Sequence, residues 1–136
     1  MILVDSIIVH APSDTTAMVN ESTYFNCSTS IRPINEQSII WFHFPLDGGG
    51  HRNYVYDDGR IMTNYKNRFD IEIDFTSGKF NLIALRLETK DAGRYECRDD
   101  IQEDIGASAE LTVLGNRDSC GIYDNGQSLA YCYGGV

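Results

Sequence analysis

The sequence has no apolar run long enough to cross a membrane. A transmembrane helix needs about 20 consecutive apolar residues, and polar or charged residues interrupt every apolar stretch of this 136-residue chain well before that length. The apolar N-terminal stretch also lacks the basic segment and the small-residue cleavage site of a signal peptide, so we interpret Met1 as a start placed before a mature N-terminus. Membrane attachment is therefore expected only through a segment outside this sequence.

Basic residues are scarce as well. Eleven Lys and Arg are scattered among 20 Asp and Glu, which gives a formal net charge of −9. A protein that binds a phosphate backbone needs clustered basic side chains. Nucleic acid and anionic membrane surfaces are therefore not expected as partners, and the charge balance favours basic or neutral ones.

Recognisable patterns for catalysis and metal binding are missing. The four cysteines contain no C-x2-C pair, the three histidines are dispersed, and no nucleophile elbow, zinc-protease motif or phosphate loop is present. We therefore predict no enzymatic activity, no cofactor and no metal site. Asp70, Glu72 and Asp74 alternate along one strand, and such oxygens suit calcium, but without a tight ligand loop a solvated face is the preferred interpretation.

What the sequence does contain is a series of short runs in which apolar and polar residues alternate. Gly, Asn, Asp and Pro interrupt these runs about every ten residues, a pattern typical of β-sandwiches. We predict an all-β fold in which no segment is helical, with a first strand split between residues 4–10 and 16–19. Eight further strands are predicted at residues 22–28, 38–44, 53–56, 61–64, 68–74, 79–87, 93–99 and 107–114.

The composition changes after Gly115. Residues 116–136 are rich in Gly, Asn, Asp and Ser and contain Cys120 and Cys132. We therefore predict one domain over residues 1–115, followed by a tail or by the start of another module. Cys120 and Cys132 are expected to pair as a local staple; a tail folded back over the sandwich and an interchain bond are the alternatives.

Three motifs point to one family. Cys27 ends the alternating run T-Y-F-N-C, Trp41 follows fourteen residues later, and D-A-G-R-Y-E-C ends at Cys97, with Tyr95 two residues before it. Together they resemble the immunoglobulin superfamily, and the 70 positions between Cys27 and Cys97 resemble its variable (V) type. The resemblance implies a Greek-key β-sandwich of two antiparallel sheets, joined by a Cys27–Cys97 disulfide against a buried Trp41.

Two further regions refine this resemblance. Arg68 stands where V domains place an arginine that pairs with the aspartate of the last motif, here Asp91. The final strand keeps only Gly106 of the Phe-Gly-x-Gly bulge of antigen receptors. The chain is therefore similar to non-rearranging V domains, such as those of adhesion molecules and innate receptors.

Two N-x-S/T sequons support an extracellular location. They begin at Asn20 and Asn26, and both asparagines are candidate glycosylation sites. Disulfide bonds also persist mainly in secreted proteins and ectodomains. We therefore expect a secreted protein or the ectodomain of a cell-surface protein.

The strand that contains Trp41 predicts a partner-binding face. If Trp41 points inward, Ile40, Phe42 and Phe44 point to the opposite side, which V domains use for face-to-face pairing. Their expected neighbours are Tyr54, Tyr56, Glu96 and Arg98. The alternative is that the loop at residues 45–52 or the C-terminal tail covers these apolar side chains.

The acidic loop at residues 98–106 lies where antigen receptors place their third hypervariable loop. Asp100 and Ile101 are candidate contacts, although a solvated loop is the preferred interpretation. The sequence thus predicts a module that binds a protein partner, foremost a second copy of itself in homophilic adhesion or self-recognition. An innate receptor or secreted pattern-recognition protein for a foreign ligand, and a structural spacer domain, are the alternatives.

Overall fold

Two β-sheets form the domain. The computed structural model describes residues 8–30, 35–46, 48–100 and 106–115; the predicted tail with Cys120 and Cys132, together with Ile101, lies outside these ranges. The described strands are β1 (Ile8–His10), β2 (Thr15–Met18), β3 (Thr23–Phe25), β4 (Ser28–Thr29), β5 (Ile39–Pro45), β6 (Asn53–Asp57), β7 (Arg60–Ile61), β8 (Phe69–Asp74), β9 (Lys79–Ala84), β10 (Gly93–Asp99) and β11 (Gly106–Leu114).

The sheet order is that of a sandwich. In the five-stranded sheet, β3 and β4 both pair with β9, β1 joins β4, and β8 also pairs with β9. The six-stranded sheet has the order β2-β11-β10-β5-β6-β7. This arrangement confirms the predicted immunoglobulin V-type sandwich.

One pairing departs from purely antiparallel sheets, because β2 and β11 run parallel. The first strand is divided, as the sequence predicted: β1 belongs to the five-stranded sheet and β2 to the six-stranded sheet. The chain changes sheets at residues 11–14, where Pro12 is buried. This crossing places β2 beside β11 in the same direction.

The core is centred on the disulfide and Trp41. Cys27 and Cys97 are bonded, as predicted, and link the two sheets. Trp41 is fully buried, and its indole Nε1 donates to the carbonyl oxygen of Phe80 at 2.9 Å. Phe25 stacks on Tyr95 at 5.2 Å between ring centroids and completes this part of the core.

Three predicted strands differ in the structure, and the one predicted at residues 79–87 ends at Ala84. The segment 22–28 is divided because the Asn81 side-chain oxygen accepts the backbone N–H of Cys27 at 2.9 Å, in place of a ladder partner. The segment 61–64 ends as a strand at Ile61 and continues as a 3₁₀ turn, Thr63–Tyr65. That turn directs the Tyr65 ring into the core.

A second 3₁₀ turn, Thr89–Asp91, connects β9 of one sheet to β10 of the other. Arg68 donates to the buried carboxylate of Asp91, the pair that the family resemblance implies. The Tyr95 hydroxyl donates to the backbone carbonyl of Asp91, and the Glu88 N–H donates to its carboxylate at 2.8 Å. Asp91 thus holds strands β8 and β10 to the turn between β9 and β10.

Candidate partner-binding face

Alternation in β5 separates core residues from surface residues. Ile39, Trp41 and His43 are buried on the inner side, so the intervening side chains project from the outer side of the six-stranded sheet. Across the ladder, Arg98 lies opposite Ile40, Glu96 opposite Phe42, and Arg94 opposite Phe44. We call this outer surface the Phe42 face, consisting of Ile40, Phe42, Phe44, Tyr54, Arg94, Glu96 and Arg98.

The apolar row of this face is covered by the protein's own side chains. Phe42 is 2% exposed and Ile40 is 7% exposed. The Arg52 guanidinium lies 4.2 Å from the Phe42 ring centroid, and the Tyr54 ring meets Phe42 edge-on at 4.7 Å. The Phe42 face therefore does not present an open row of apolar side chains. Arg52, from the loop at residues 45–52, covers part of that row.

A second arginine covers the other end of the row. The Arg94 guanidinium lies 4.1 Å from the Phe44 ring centroid. Cation–π contacts of this kind are worth about 0.5–1 kcal/mol at exposed positions and more when desolvated. The face presented to solvent is thus a layer of guanidinium groups resting on aromatic rings.

Glu96 and Arg98 form an ion pair at the centre of the Phe42 face. Arg98 Nη2 donates to Glu96 Oε2 at 2.8 Å, and Arg98 Nε donates to the same oxygen at 3.2 Å. Beside this pair is a depression of about 450 Å³. Its rim carries two positive and two negative side chains, Arg52, Arg98, Asp57 and Asp100.

The prediction that Tyr56 belongs to the Phe42 face is wrong. A bulge shifts the register between β5 and β6, so that Phe42 pairs with Tyr54 whereas Trp41 pairs with Tyr56. Tyr54 remains on the outer side and is 41% exposed, but Tyr56 is 1% exposed and belongs to the core. Burial, followed by the charge of Glu36, raises the pKa of the Tyr56 hydroxyl to about 12.

Arg52 and Arg94 were not predicted as members of the site. Arg94 could have been found, because it continues the alternation of Glu96 and Arg98 along β10. Arg52 precedes β6, where no strand periodicity indicates its direction. Asp100 is exposed at the rim of the depression, and Ile101 lies outside the described residues.

The sequence also did not predict a buried chain of hydrogen-bonded side chains on the inner side of this sheet. His43 Nε2 donates to the Ala92 carbonyl at 2.9 Å, so its Nδ1 accepts the Tyr65 hydroxyl at 2.7 Å. Asn53 donates to that hydroxyl at 3.1 Å, and the imidazole stacks on Tyr95 at 4.4 Å. Burial lowers the pKa of His43, which favours the neutral imidazole that this hydrogen-bond chain requires.

The outer side of the five-stranded sheet is acidic. Asp70, Glu72 and Asp74 are exposed along β8. Their oxygens accept local hydrogen bonds, including that from Asn81 Nδ2 to Glu72 at 2.9 Å and that from the Thr76 N–H to Asp74 at 3.0 Å. Among the described residues, no three His, Cys, Asp or Glu side chains are grouped as ligands for a metal ion.

The structure also places the two sequon asparagines on the surface. Asn20 is exposed in the turn between β2 and β3, and Asn26 is exposed between β3 and β4.

Within the described ranges, no helix has the length and apolar character needed to cross a membrane.

A family model matches most of the chain. No curated protein matches the chain. The family model described as "Immunoglobulin V-set domain" matches residues 10–114. The matched segment includes both disulfide cysteines and the whole Phe42 face.

Proposed function

Because the chain belongs to the immunoglobulin V-set family, whose domains generally serve as recognition modules, we propose that it binds a protein partner extracellularly through the Phe42 face. The partner that we propose is a second copy of the same chain, in homophilic adhesion or self-recognition. The observation that carries this proposal is the presence of both charge signs around the covered aromatic rings of that face.

The charges near the Phe42 face are close to balanced. Arg94 lies opposite Glu110 across the ladder with β11, and Arg98 is paired with Glu96. Among the described residues, the charged groups of the face, of the rim of its depression and of the adjoining position 110 are three arginines and four acids, Arg52, Arg94, Arg98, Glu96, Glu110, Asp57 and Asp100. This balance contrasts with the net charge of −9 on the chain.

Two copies of an acidic protein repel each other unless they meet through their least acidic surfaces. Pairing through the five-stranded sheet would bring the acidic row of β8 in one copy, Asp70, Glu72 and Asp74, against the same row in the other. The Phe42 face would instead bring opposite charges together. Charge balance therefore supports self-association through the six-stranded sheet.

The geometry of a twofold pair also supports a second copy as the partner. In an isologous interface both copies use the same surface, so a residue that contacts a second residue of the partner is matched by the reverse contact. A twofold axis near the centre of the Phe42 face would bring a surface that carries both charge signs against an identical one, which supports pairing of arginines in one copy with acids in the other. Aromatic rings with arginines beside them are also enriched among the residues that dominate binding energy.

Analytical ultracentrifugation over a range of concentrations tests this proposal. The wild-type chain is expected to form a concentration-dependent dimer. Arg52→Glu removes the guanidinium from the Phe42 ring and reverses one charge, so we expect its dimer Kd to rise at least about tenfold, or about 1.4 kcal/mol. Lys79→Glu makes the same change of charge on the outer side of the other sheet and is expected to leave the Kd unchanged.

Two results would overturn the proposal. One is a wild-type chain that stays monomeric at high micromolar concentration, which would leave binding of a foreign ligand or a spacer role to be tested. The other is an equal effect of the two variants, because a face-specific interface requires them to differ. Far-ultraviolet circular dichroism establishes that both variants remain folded.

A further inference from the structure

Asn26 lies between β3 and β4 in the five-stranded sheet. Its chain neighbours Phe25 and Cys27 are buried in the core. Alternation therefore points the Asn26 side chain away from the core, and Asn26 is exposed. It is the first residue of the sequon Asn26-Cys27-Ser28.

An apolar surface adjoins this asparagine. Tyr24, two residues earlier on the same side, is 61% exposed. It lies opposite the half-buried Ile83 across the ladder. Both residues and Asn26 line an open groove of about 640 Å³, whose polar wall includes Glu72, Lys79 and Asn81.

We propose that Asn26 carries an N-linked glycan whose first sugar lies in this groove, against Tyr24 and Ile83. The donor is an oligosaccharide bound to a polyprenyl pyrophosphate in the secretory pathway. The Asn26 amide nitrogen forms a bond to the anomeric carbon and loses a proton, while the glycosyl–phosphate bond breaks and the lipid pyrophosphate leaves. This inference is independent of the proposed homophilic binding.

The chemistry of the groove suits a sugar ring. A pyranose has an apolar C–H face, which an exposed aromatic ring can cover, and a rim of hydroxyl groups that need hydrogen-bond partners. Tyr24 and Ile83 provide the apolar surface, and Glu72 and Lys79 provide polar groups beside it. The second sequon differs, because Asn20 lies in a turn with φ of 73° and does not line this groove.

The test uses the full chain secreted from eukaryotic cells. Glycopeptide mass spectrometry is expected to find the sugar on Asn26. Trimming the folded protein to a single N-acetylglucosamine should leave Tm unchanged, whereas removing the whole glycan should lower it by about 3 °C, a shift that domains of this size show for a small loss of stability. The first sugar, not the outer branches, is thus expected to stabilise the fold.

Matched tyrosine variants separate contact with the groove from other effects. In Tyr24→Ala, removal of the first sugar should no longer lower Tm. In Tyr54→Ala, which truncates a tyrosine that is 41% exposed on the other sheet, the shift of about 3 °C should persist. Enzymatic removal also converts Asn26 to aspartate, but this new charge is common to both variants.

Three results would contradict the proposal. An unmodified Asn26 in the secreted protein would remove its basis, even if Asn20 were glycosylated. An equal Tm shift in Tyr24→Ala and Tyr54→Ala would show that the sugar does not rest on Tyr24. Loss of the stabilisation on trimming to one sugar would place the contact further along the glycan.

Discussion

Gly93 is a position at which a single added methyl group should destabilise this domain severely. It has φ of 133°, which residues with side chains rarely adopt. A Cβ placed there would lie 2.2 Å from the Phe44 carbonyl oxygen and 3.1 Å from His43 Nε2. The backbone cannot easily move away, because Gly93 pairs with Pro45 on one side and Leu111 on the other.

The cost of Gly93→Ala follows from these two effects. A residue held in a sparsely populated backbone region costs about 1–3 kcal/mol, and overpacking a filled site costs about 1–3 kcal/mol. We therefore expect a loss of about 2–6 kcal/mol from an unfolding free energy that is typically about 5–15 kcal/mol. Urea titration measures this loss, with fluorescence of the buried Trp41 as the signal.

Gly50→Ala is the matched control. Gly50 also has a positive φ, of 88°, but a Cβ there would meet nothing within 4 Å. Its substitution is expected to cost only the backbone penalty, about 1–2 kcal/mol. If Gly93→Ala loses no more stability than Gly50→Ala, the close approach to Phe44 is not what requires glycine at this position.

Three further perturbations test the framework. Asp91→Ala leaves the buried Arg68 without its main partner and should cost about 3–5 kcal/mol in urea denaturation; a loss below 1 kcal/mol would contradict this role. Because burial lowers the His43 pKa, the unfolded chain binds more protons than the folded chain as the pH falls below about 6.5, and the unfolding free energy should therefore fall in that range. His43→Gln should flatten the dependence of Tm on pH there. Replacing Cys27 and Cys97 together by alanine should cost about 4 kcal/mol, since the bond closes a long loop, and an unchanged urea midpoint would refute that estimate.

The sequence predicted the framework well, because its signals are local. Cys27, Trp41 and Tyr95 stand at the spacings of a variable-type immunoglobulin domain, and that resemblance implied both the disulfide and the two-sheet sandwich. The structure confirms both. The glycine of D-A-G-R-Y-E-C was part of the same motif, although its contact with Phe44 is visible only in three dimensions.

The Phe42 face was predicted less completely, because its composition depends on register and loop paths. Tyr56 was misplaced by a single bulge, since one extra residue reverses the side to which a strand residue points. The cover over Phe42 comes from Arg52, whose direction has no local sequence signal. Periodicity thus predicted the outward row of β5 but not the guanidinium layer that lies on it.

The parallel pairing of β2 with β11 has a mechanical consequence. Thr15 lies opposite Leu111 and Met18 lies opposite Leu114. Tension applied to the chain before Thr15 and after Leu114 acts at opposite ends of this ladder, so its hydrogen bonds bear the load together in shear. In an antiparallel hairpin pulled from its open end, they would break one after another. A module with this geometry is suited to transmit force along its chain without extending.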